Sequence, residues 1–260
     1  MDLAALLENP WLWLALFVFV AYTIEAVTGF GSIVIALSLG ALLLPIPDML
    51  PVLVPLNICM TGYLALRHRQ HIHWSTLLRL ILPIMGLGTL LGYGLRPWLG
   101  DAGLRSLFAL LIIWFAGREL YFLLKANASA RATHGNWWTR GWMLAAGVTH
   151  GLFASGGPLL VYSLTGVSLD KARFRATLIS VWFSLNSLLT LIFVVDGSLL
   201  PALPRIAAFL PVVVVGVIAG EWLHHRISEA RFRIAVFLLL LLTGIALLTA
   251  SLLAGYTPIQ

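Results

Sequence analysis

Apolar residues in this chain gather into eight runs separated by short polar stretches: Trp11 to Leu44, Leu50 to Leu66, Leu77 to Leu95, Leu104 to Leu124, Gly141 to Val167, Thr177 to Val195, Ile206 to Leu223 and Ile234 to Leu253. A helix needs about 20 apolar residues to cross a bilayer, so the pattern predicts membrane helices. Two runs are interrupted, one at Thr28-Gly29-Phe30-Gly31-Ser32 and the other at Ala154-Ser155-Gly156-Gly157-Pro158. Non-helical backbone at membrane depth is tolerated only where protein or a wet cavity satisfies its polar groups. A corresponding pair of broken segments in two halves is the best sequence pointer to a transporter's binding site. The expected fold class is an all-α polytopic membrane protein.

Composition agrees with the pattern. At 60% hydrophobic and 10% charged residues, with a mean hydropathy of +0.98 over 260 residues, the chain carries more apolar side chains than one water-soluble core could hide. The formal charge of +6 does not point to nucleic acid, because the basic residues sit in short loops between apolar runs. Cytoplasmic loops of membrane proteins have that character. The single Cys59 lies in an apolar run, which leaves no disulfide framework and no Cys-x2-Cys metal or redox site. Asp2 and Glu8, with no Lys or Arg in the first ten residues, are wrong for a signal-peptide start. The first apolar run is therefore expected to remain in the protein.

The basic clusters Arg67/Arg69/Arg79, Lys125/Arg131/Arg140, Lys171/Arg173/Arg175 and Arg226/Arg231/Arg233 constrain topology. If all eight runs were single crossings, the clusters flanking 141–167 would lie on opposite faces, against the positive-inside bias. The conflict disappears if 141–167 enters from the cytoplasm, turns at 154–158 and leaves by the same face. Its arms are too short for two crossings at about 1.5 Å per residue. By the same logic 11–44 is a hairpin opening outward, both termini are external, and Arg96, Arg105 and Arg205 fall in external loops or at their edges. Each half is then one re-entrant hairpin plus three spans. Three is odd, so the halves are inverted relative to each other.

An internal repeat supports the division. Pro83-x4-Gly88-x3-Gly92 recurs as Pro211-x4-Gly216-x3-Gly220, and Asp101-Ala102-x2-Arg105 as Glu229-Ala230-x2-Arg233, all at an offset of 128. Asn57 and Asn186 correspond at an offset of 129. The expected organisation is a first inverted repeat over 1–125, with hairpin 11–44 and spans near 50–66, 77–95 and 104–124. A cytoplasmic linker follows over 126–140. The second repeat covers 141–260, with hairpin 141–167 and spans near 177–195, 206–223 and 234–253. The two Gly-x3-Gly motifs read as packing seams, since small residues let membrane helices approach.

The candidate chemistry gathers at the breaks. A short helix is expected to start near Ile33 and another near Pro158, with Ser32 or Gly157 at the N-cap. Helix N-termini carry unpaired N–H groups and the positive end of the macrodipole, and both favour an anion. The alternative is that the glycines merely permit a kink or a close helix contact. Glu25 and His150 are the ionisable residues nearest the breaks and occupy corresponding repeat positions. They are candidates for carrying protons coupled to transport; alternatively each satisfies frayed backbone at its own hairpin. Asn57 and Asn186 fall within spans, where an amide seeks a partner on a neighbouring element. Thr28, Ser32, Thr149 and Ser155 offer hydroxyls to an oxyanion or to their own backbone. His68, His71 and His73 read as part of a solvated basic loop, and Trp11/Trp13 and Trp137/Trp138 as interfacial anchors. No metal site or cofactor is expected.

These features together resemble the sulfite exporter TauE/SafE family of membrane permeases. The resemblance is carried by Glu25-Ala-Val-Thr-Gly29-Phe30-Gly31-Ser32, by His150-Gly-Leu-Phe-Ala-Ser155-Gly156-Gly157-Pro158, by Asn57 and Asn186, and by the two Pro-x4-Gly-x3-Gly seams. It implies movement of sulfite or a small organosulfonate across the bacterial cytoplasmic membrane, often outward. The expected substrate-binding residues are Thr28, Gly29, Gly31, Ser32, Ser155, Gly156, Gly157, Asn57 and Asn186. The expected partners are a small inorganic or organosulfur anion, the lipid bilayer and a coupling proton or sodium ion. Coupling ion, direction and homo-oligomer formation stay open. The reading is a secondary transporter and not an enzyme, since no nucleophile, metal cluster or Gly-x4-Gly-Lys-Ser/Thr motif accompanies Glu25 or His150. The alternative function is an anion channel whose filter is formed by the two hairpins.

Overall fold

The computed structural model describes residues 8–28, 31–125, 136–164, 170–224, 226 and 229–256. Among these the long elements are all helices: α1 (Pro10–Thr28), α2 (Ser32–Gly40), α3 (Ile46–Arg67), α4 (Trp74–Leu124), α5 (Asn136–Phe153), α6 (Gly157–Ser163), α7 (Lys171–Val195), α8 (Leu199–His224) and α9 (Glu229–Tyr256). Six of them, α1, α3, α4, α7, α8 and α9, are long and apolar enough to cross a membrane. The all-α polytopic fold expected from the apolar runs is the fold observed.

Both interrupted runs fold back as helical hairpins, α1 against α2 and α5 against α6. The hairpins are lopsided. With 19 and 18 residues, α1 and α5 are about 27–28 Å long, close to the hydrocarbon thickness. The second arms, of nine and seven residues, reach only about 10–14 Å and cannot cross. The expected loop between the spans 77–95 and 104–124 is reduced to one non-helical residue within α4, Gly100, at φ 60° and ψ 177°. That backbone suits a residue without Cβ. A positive φ of 80° at Gly197 likewise turns α7 into α8.

The chain divides into two compact units, each drawing on both sequence halves. One comprises Met1–Met49, Leu99–Ser129 and Ala207–Gln260. It contains the first hairpin, the α4 limb after Gly100, α9 and most of α8. Its buried interior includes Leu14, Val18, Tyr22, Phe108 and Phe237, and Phe115 meets the Phe237 ring edge-on at 5.5 Å. Asp101 closes a loop in this unit: Oδ1 accepts the Ile46 N–H at 3.0 Å, and Oδ2 binds Arg105 Nε at 2.6 Å. A Cβ on Gly216 would lie 2.9 Å from the Phe19 carbonyl oxygen, and one on Gly220 would lie 2.6 Å from Ala26 Cβ. So α8 rests backbone to backbone on α1.

The other unit comprises Leu50–Trp98 and Ala130–Ile206. It contains the second hairpin, most of α3, the α4 limb before Gly100, and α7. Met85, Met143, Ala146, Leu160, Val181 and Leu185 form part of its core. Here both sides of the close contact are glycines. A Cβ on Gly88 would lie 2.9 Å from Gly147 Cα, and one on Gly151 would lie 2.9 Å from Gly92 Cα. Each unit thus takes its hairpin from one sequence half and its Pro-x4-Gly-x3-Gly seam from the other.

In lipid no hydrophobic force drives helices together, so such seams hold the units by van der Waals packing over short distances. Large apolar residues accordingly remain exposed on the outward faces, among them Val214, Val215 and Ile218 of α8 and Leu238, Leu242 and Ile245 of α9. The seam reading has a direct test in thermal unfolding of purified protein. Gly92→Val places a Cβ within 2.9 Å of the Val148 carbonyl carbon and should cost roughly 2 kcal/mol or more by overpacking. Gly94→Ala, where a Cβ meets nothing within 4 Å, should leave the transition unchanged or slightly raised.

Candidate functional site

In the first hairpin the chain leaves α1 at Thr28 and re-enters helix at Ser32. Gly31 is the N-cap at φ 103°, in the left-handed region open to glycine, one residue before the expected Ser32. Gly29 and Phe30 lie outside the described residues. The Thr28 hydroxyl donates to the Ile24 carbonyl at 2.8 Å, which is the backbone-capping role. Glu25 is buried, and its Oε2 accepts the Ser32 N–H at 3.0 Å. A carboxylate receiving the first N–H of a helix is a charge-assisted bond with the favourable dipole sign. The first N–H of this helix is thus satisfied by a side chain of the hairpin itself.

The second hairpin is built differently. After α5, Ala154 adopts a positive φ of 52°, and its N–H donates to the His150 carbonyl at 2.7 Å. Gly156 is the N-cap of α6, again one residue before the expected Gly157. A Cβ on Gly156 would lie 3.1 Å from both the Ala146 carbonyl carbon and His150 Cβ, while one on Gly157 would meet the Trp182 ring at 3.4 Å. Ser155 is buried in the turn. Thr149 bonds its own helix at the Ala146 carbonyl, at 2.9 Å.

His150 is fully buried and stacks on Trp182, with centroids 5.9 Å apart and planes tilted by 21°. Asn186 lies beside it on α7. The Asn186 amide nitrogen donates to Asn57 Oδ1 at 2.8 Å, so the two asparagines of the repeat meet each other. Among the described residues, neither ring nitrogen of His150 nor the Asn186 amide oxygen completes a hydrogen bond of good geometry. Buried polar atoms normally have partners, and clusters that lack them mark places where water or a ligand is handled.

The structure therefore brings Asn57, Asn186, His150 and the turn residues Ser155, Gly156 and Gly157 into one unit. It places Glu25, Thr28, Gly31 and Ser32 in the other. Glu25 and His150 share a repeat position but not a local role, since Glu25 binds its own turn through its side chain. Sequence reasoning missed three features. Trp182 is an unremarked aromatic in an apolar run. Gly147-x3-Gly151 repeats the small-residue spacing of the recognised seams and was legible by that rule. Arg96, expected at an external loop, lies within the helical limb of α4 before Gly100, partly buried, with its guanidinium carbon 4.7 Å from the Tyr93 ring centroid and 5.6 Å from that of Phe193.

Apolar helices, two broken hairpins and a buried polar cluster define a multi-pass membrane protein of permease character. The sulfite exporter TauE/SafE family model matches residues 14–247, and the chain belongs to that family. Among curated relatives, "Probable inner membrane transporter protein TsaS" of Comamonas testosteroni is 29% identical over 169 residues, covering 64% of this chain and 69% of that protein. No solved structure matches the chain. Membership of this family makes the protein a membrane transporter.

The asparagine pair is open to a double-mutant cycle. Asn57→Leu or Asn186→Leu alone removes one buried partner of the remaining amide and should lower stability by about 1–3 kcal/mol. The double variant should lose less than the sum, with a coupling of about 0.5–1.5 kcal/mol. Strict additivity in thermal unfolding would show that the bond contributes nothing.

Proposed function

We propose that the chain is a secondary transporter that exports a small sulfur oxyanion, sulfite or a short organosulfonate, across the bacterial cytoplasmic membrane. The observation that carries the reading is the buried His150–Asn186–Asn57 cluster beside the second hairpin turn, in a chain belonging to a family named for sulfite export. A compact oxyanion needs several convergent donors. The asparagine amides, the Ser155 hydroxyl and the backbone N–H groups of the turns are donors that bind it without a permanent counter-charge, and weak neutral binding also permits release. In the first hairpin, Glu25 holds the Ser32 N–H that an anion would otherwise take. Its protonation or displacement is then a natural point of coupling, with His150 as the second candidate. We further assign 1–125 and 141–260 as inverted repeats, with both termini external, on the charge clusters and on the motifs that recur at an offset of 128.

Proteoliposomes test both parts. Flux of sulfite, sulfate, thiosulfate and a short alkylsulfonate is measured under imposed pH or sodium gradients. Sulfite or the sulfonate should move, and one gradient should drive it. Gly31→Ala forces a Cβ onto a φ of 103°, and Gly156→Ala drives one toward the Ala146 carbonyl and His150. Each should lower flux at least about tenfold while protein still reaches the membrane. In the same vesicles, single cysteines replacing Arg140 and Lys171 on a Cys59→Ala background should label from one side, the cytoplasmic one. Absence of flux for every sulfur oxyanion contradicts the function. Normal flux in both glycine variants removes the turns from the site, and labels on opposite sides overturn the topology.

A further inference from the structure

Arg96 stands apart from the charge clusters that set the topology, and its surroundings are specific. The guanidinium sits over the rings of Tyr93, one turn earlier on α4, and Phe193 on α7. Aromatic rings attract a cation through its face, whereas the five guanidinium N–H donors radiate in its plane. Stacking therefore holds Arg96 in place without using its donors. Among the described residues, Nε and Nη2 are shielded from solvent and bonded to nothing, although the residue as a whole is partly exposed. The nearby carboxylate does not take them. Asp196 accepts from the Tyr93 hydroxyl and, through Oδ1, from the Ser198 N–H at 2.9 Å. Burial pushes the Asp196 carboxyl up, but its bonds from Ser198 and Tyr93 and the charge of Arg96 outweigh this and hold it below the usual carboxylate range. It remains ionised at neutral pH and fixes the Tyr93 ring under the guanidinium.

The helix face that carries Phe193 continues to the hairpin cluster. Trp182, Asn186, Thr190 and Phe193 follow one another on α7 at spacings of four, four and three, so they share one face. Trp182 meets His150 at one end of the stripe and Phe193 meets Arg96 at the other. Asn186 and Phe193 are separated by about 10 Å along the helix. Thr190, midway, has a buried hydroxyl that is also without a partner among the described residues. Unsatisfied buried polar atoms thus recur from Arg96 through Thr190 and Asn186 to His150, all within one compact unit.

We propose that Arg96 is an oxyanion-binding residue at one end of a polar track formed by Arg96, Thr190, Asn186 and His150, along which the transported anion passes to or from the hairpin. The ligand class is a small oxyanion, held in the plane of the guanidinium by paired N–H donors while the rings exclude other contacts. The inference rests on the transport reading above and assigns it a charged entry or exit step.

The test is the concentration dependence of sulfite flux in proteoliposomes for wild type, Arg96→Gln, Arg96→Lys and Thr190→Val, with thermal unfolding measured in parallel. Arg96→Gln should raise KM about tenfold or more, with any fall in unfolding temperature limited to the loss of the two cation–π contacts. Arg96→Lys should recover only part of the affinity, since a point charge cannot reproduce the planar fork. Thr190→Val should raise KM less. If wild type moves sulfite and Arg96→Gln leaves KM unchanged, the inference fails and the transport reading stands. It fails equally if only the unfolding temperature falls, which is the result expected of a purely structural cation–π clamp or of donors satisfied by water. If Arg96→Gln does not fold, Arg96→Lys and Thr190→Val with unchanged KM overturn the proposal. If wild type moves no sulfur oxyanion at all, the transport reading fails and this inference with it.

Discussion

Backbone contact through glycine is the constraint on which the unit containing the second hairpin depends. Gly88 and Gly92 of α4 lie against Gly147 and Gly151 of α5 so closely that no Cβ fits at any of the four. In a medium as apolar as leucine, close approach is what makes two helices prefer each other to lipid. The contact also fixes the rotation of α5. With Gly147 and Gly151 turned to α4, His150 is directed to the side, where it stacks on Trp182 of α7. Asn186 then lies within reach of both His150 and Asn57. A polar cluster in a membrane protein is costly unless something holds it in register, and here four residues without side chains do so.

The two hairpins solve one backbone problem in different ways, and the difference bears on transport. Both use a glycine N-cap and a short second arm, and both leave non-helical backbone next to buried polar groups. In the first, a carboxylate seven residues back closes the turn from within. In the second, the strain sits in a left-handed alanine, and neither imidazole nitrogen completes a hydrogen bond of good geometry among the described residues. The first turn therefore has a helix-start N–H taken by an acidic side chain, while amide, hydroxyl and imidazole groups stand beside the second. Under the proposed function, an anion at the first turn would compete with Glu25 for the Ser32 N–H, whereas at the second it would meet amides and an imidazole. The two hairpins are thus built unequally despite the matched spacing of the sequence repeats.

Much of this is legible in the sequence. Apolar runs locate the helices, because length and hydropathy alone decide what crosses a bilayer. Their ends are less visible. Asn136 to Arg140 and Lys171 to Ala176 are helical but polar or mixed, and hydropathy does not register helix that extends toward the interface. The gap between the expected spans 77–95 and 104–124 implies a loop, whereas a single residue of positive φ, Gly100, suffices. The breaks, the seams and the paired asparagines are recognisable by spacing. Which seam holds which hairpin is not, since periodicity tells which face of a helix seeks a partner and not which partner it finds. Trp182 and Arg96 escape for the same reason: their significance comes from neighbours far away in the chain.

Membership of the sulfite exporter family and a helical membrane fold make the protein a membrane transporter, and the export function proposed above treats it as a carrier that binds its ion at the buried amide–imidazole cluster and changes conformation to release it. A pore with a fixed filter would also place donors at membrane depth, and the two differ in how tracer moves. The most direct measurement is sulfite counterflow. Liposomes containing the purified protein and a high concentration of unlabelled sulfite are diluted into a trace of labelled sulfite. A carrier returns labelled ions inward as unlabelled ions leave, so internal label should transiently overshoot its equilibrium value and then decay. A monotonic approach to equilibrium, or no entry of label, would contradict the account.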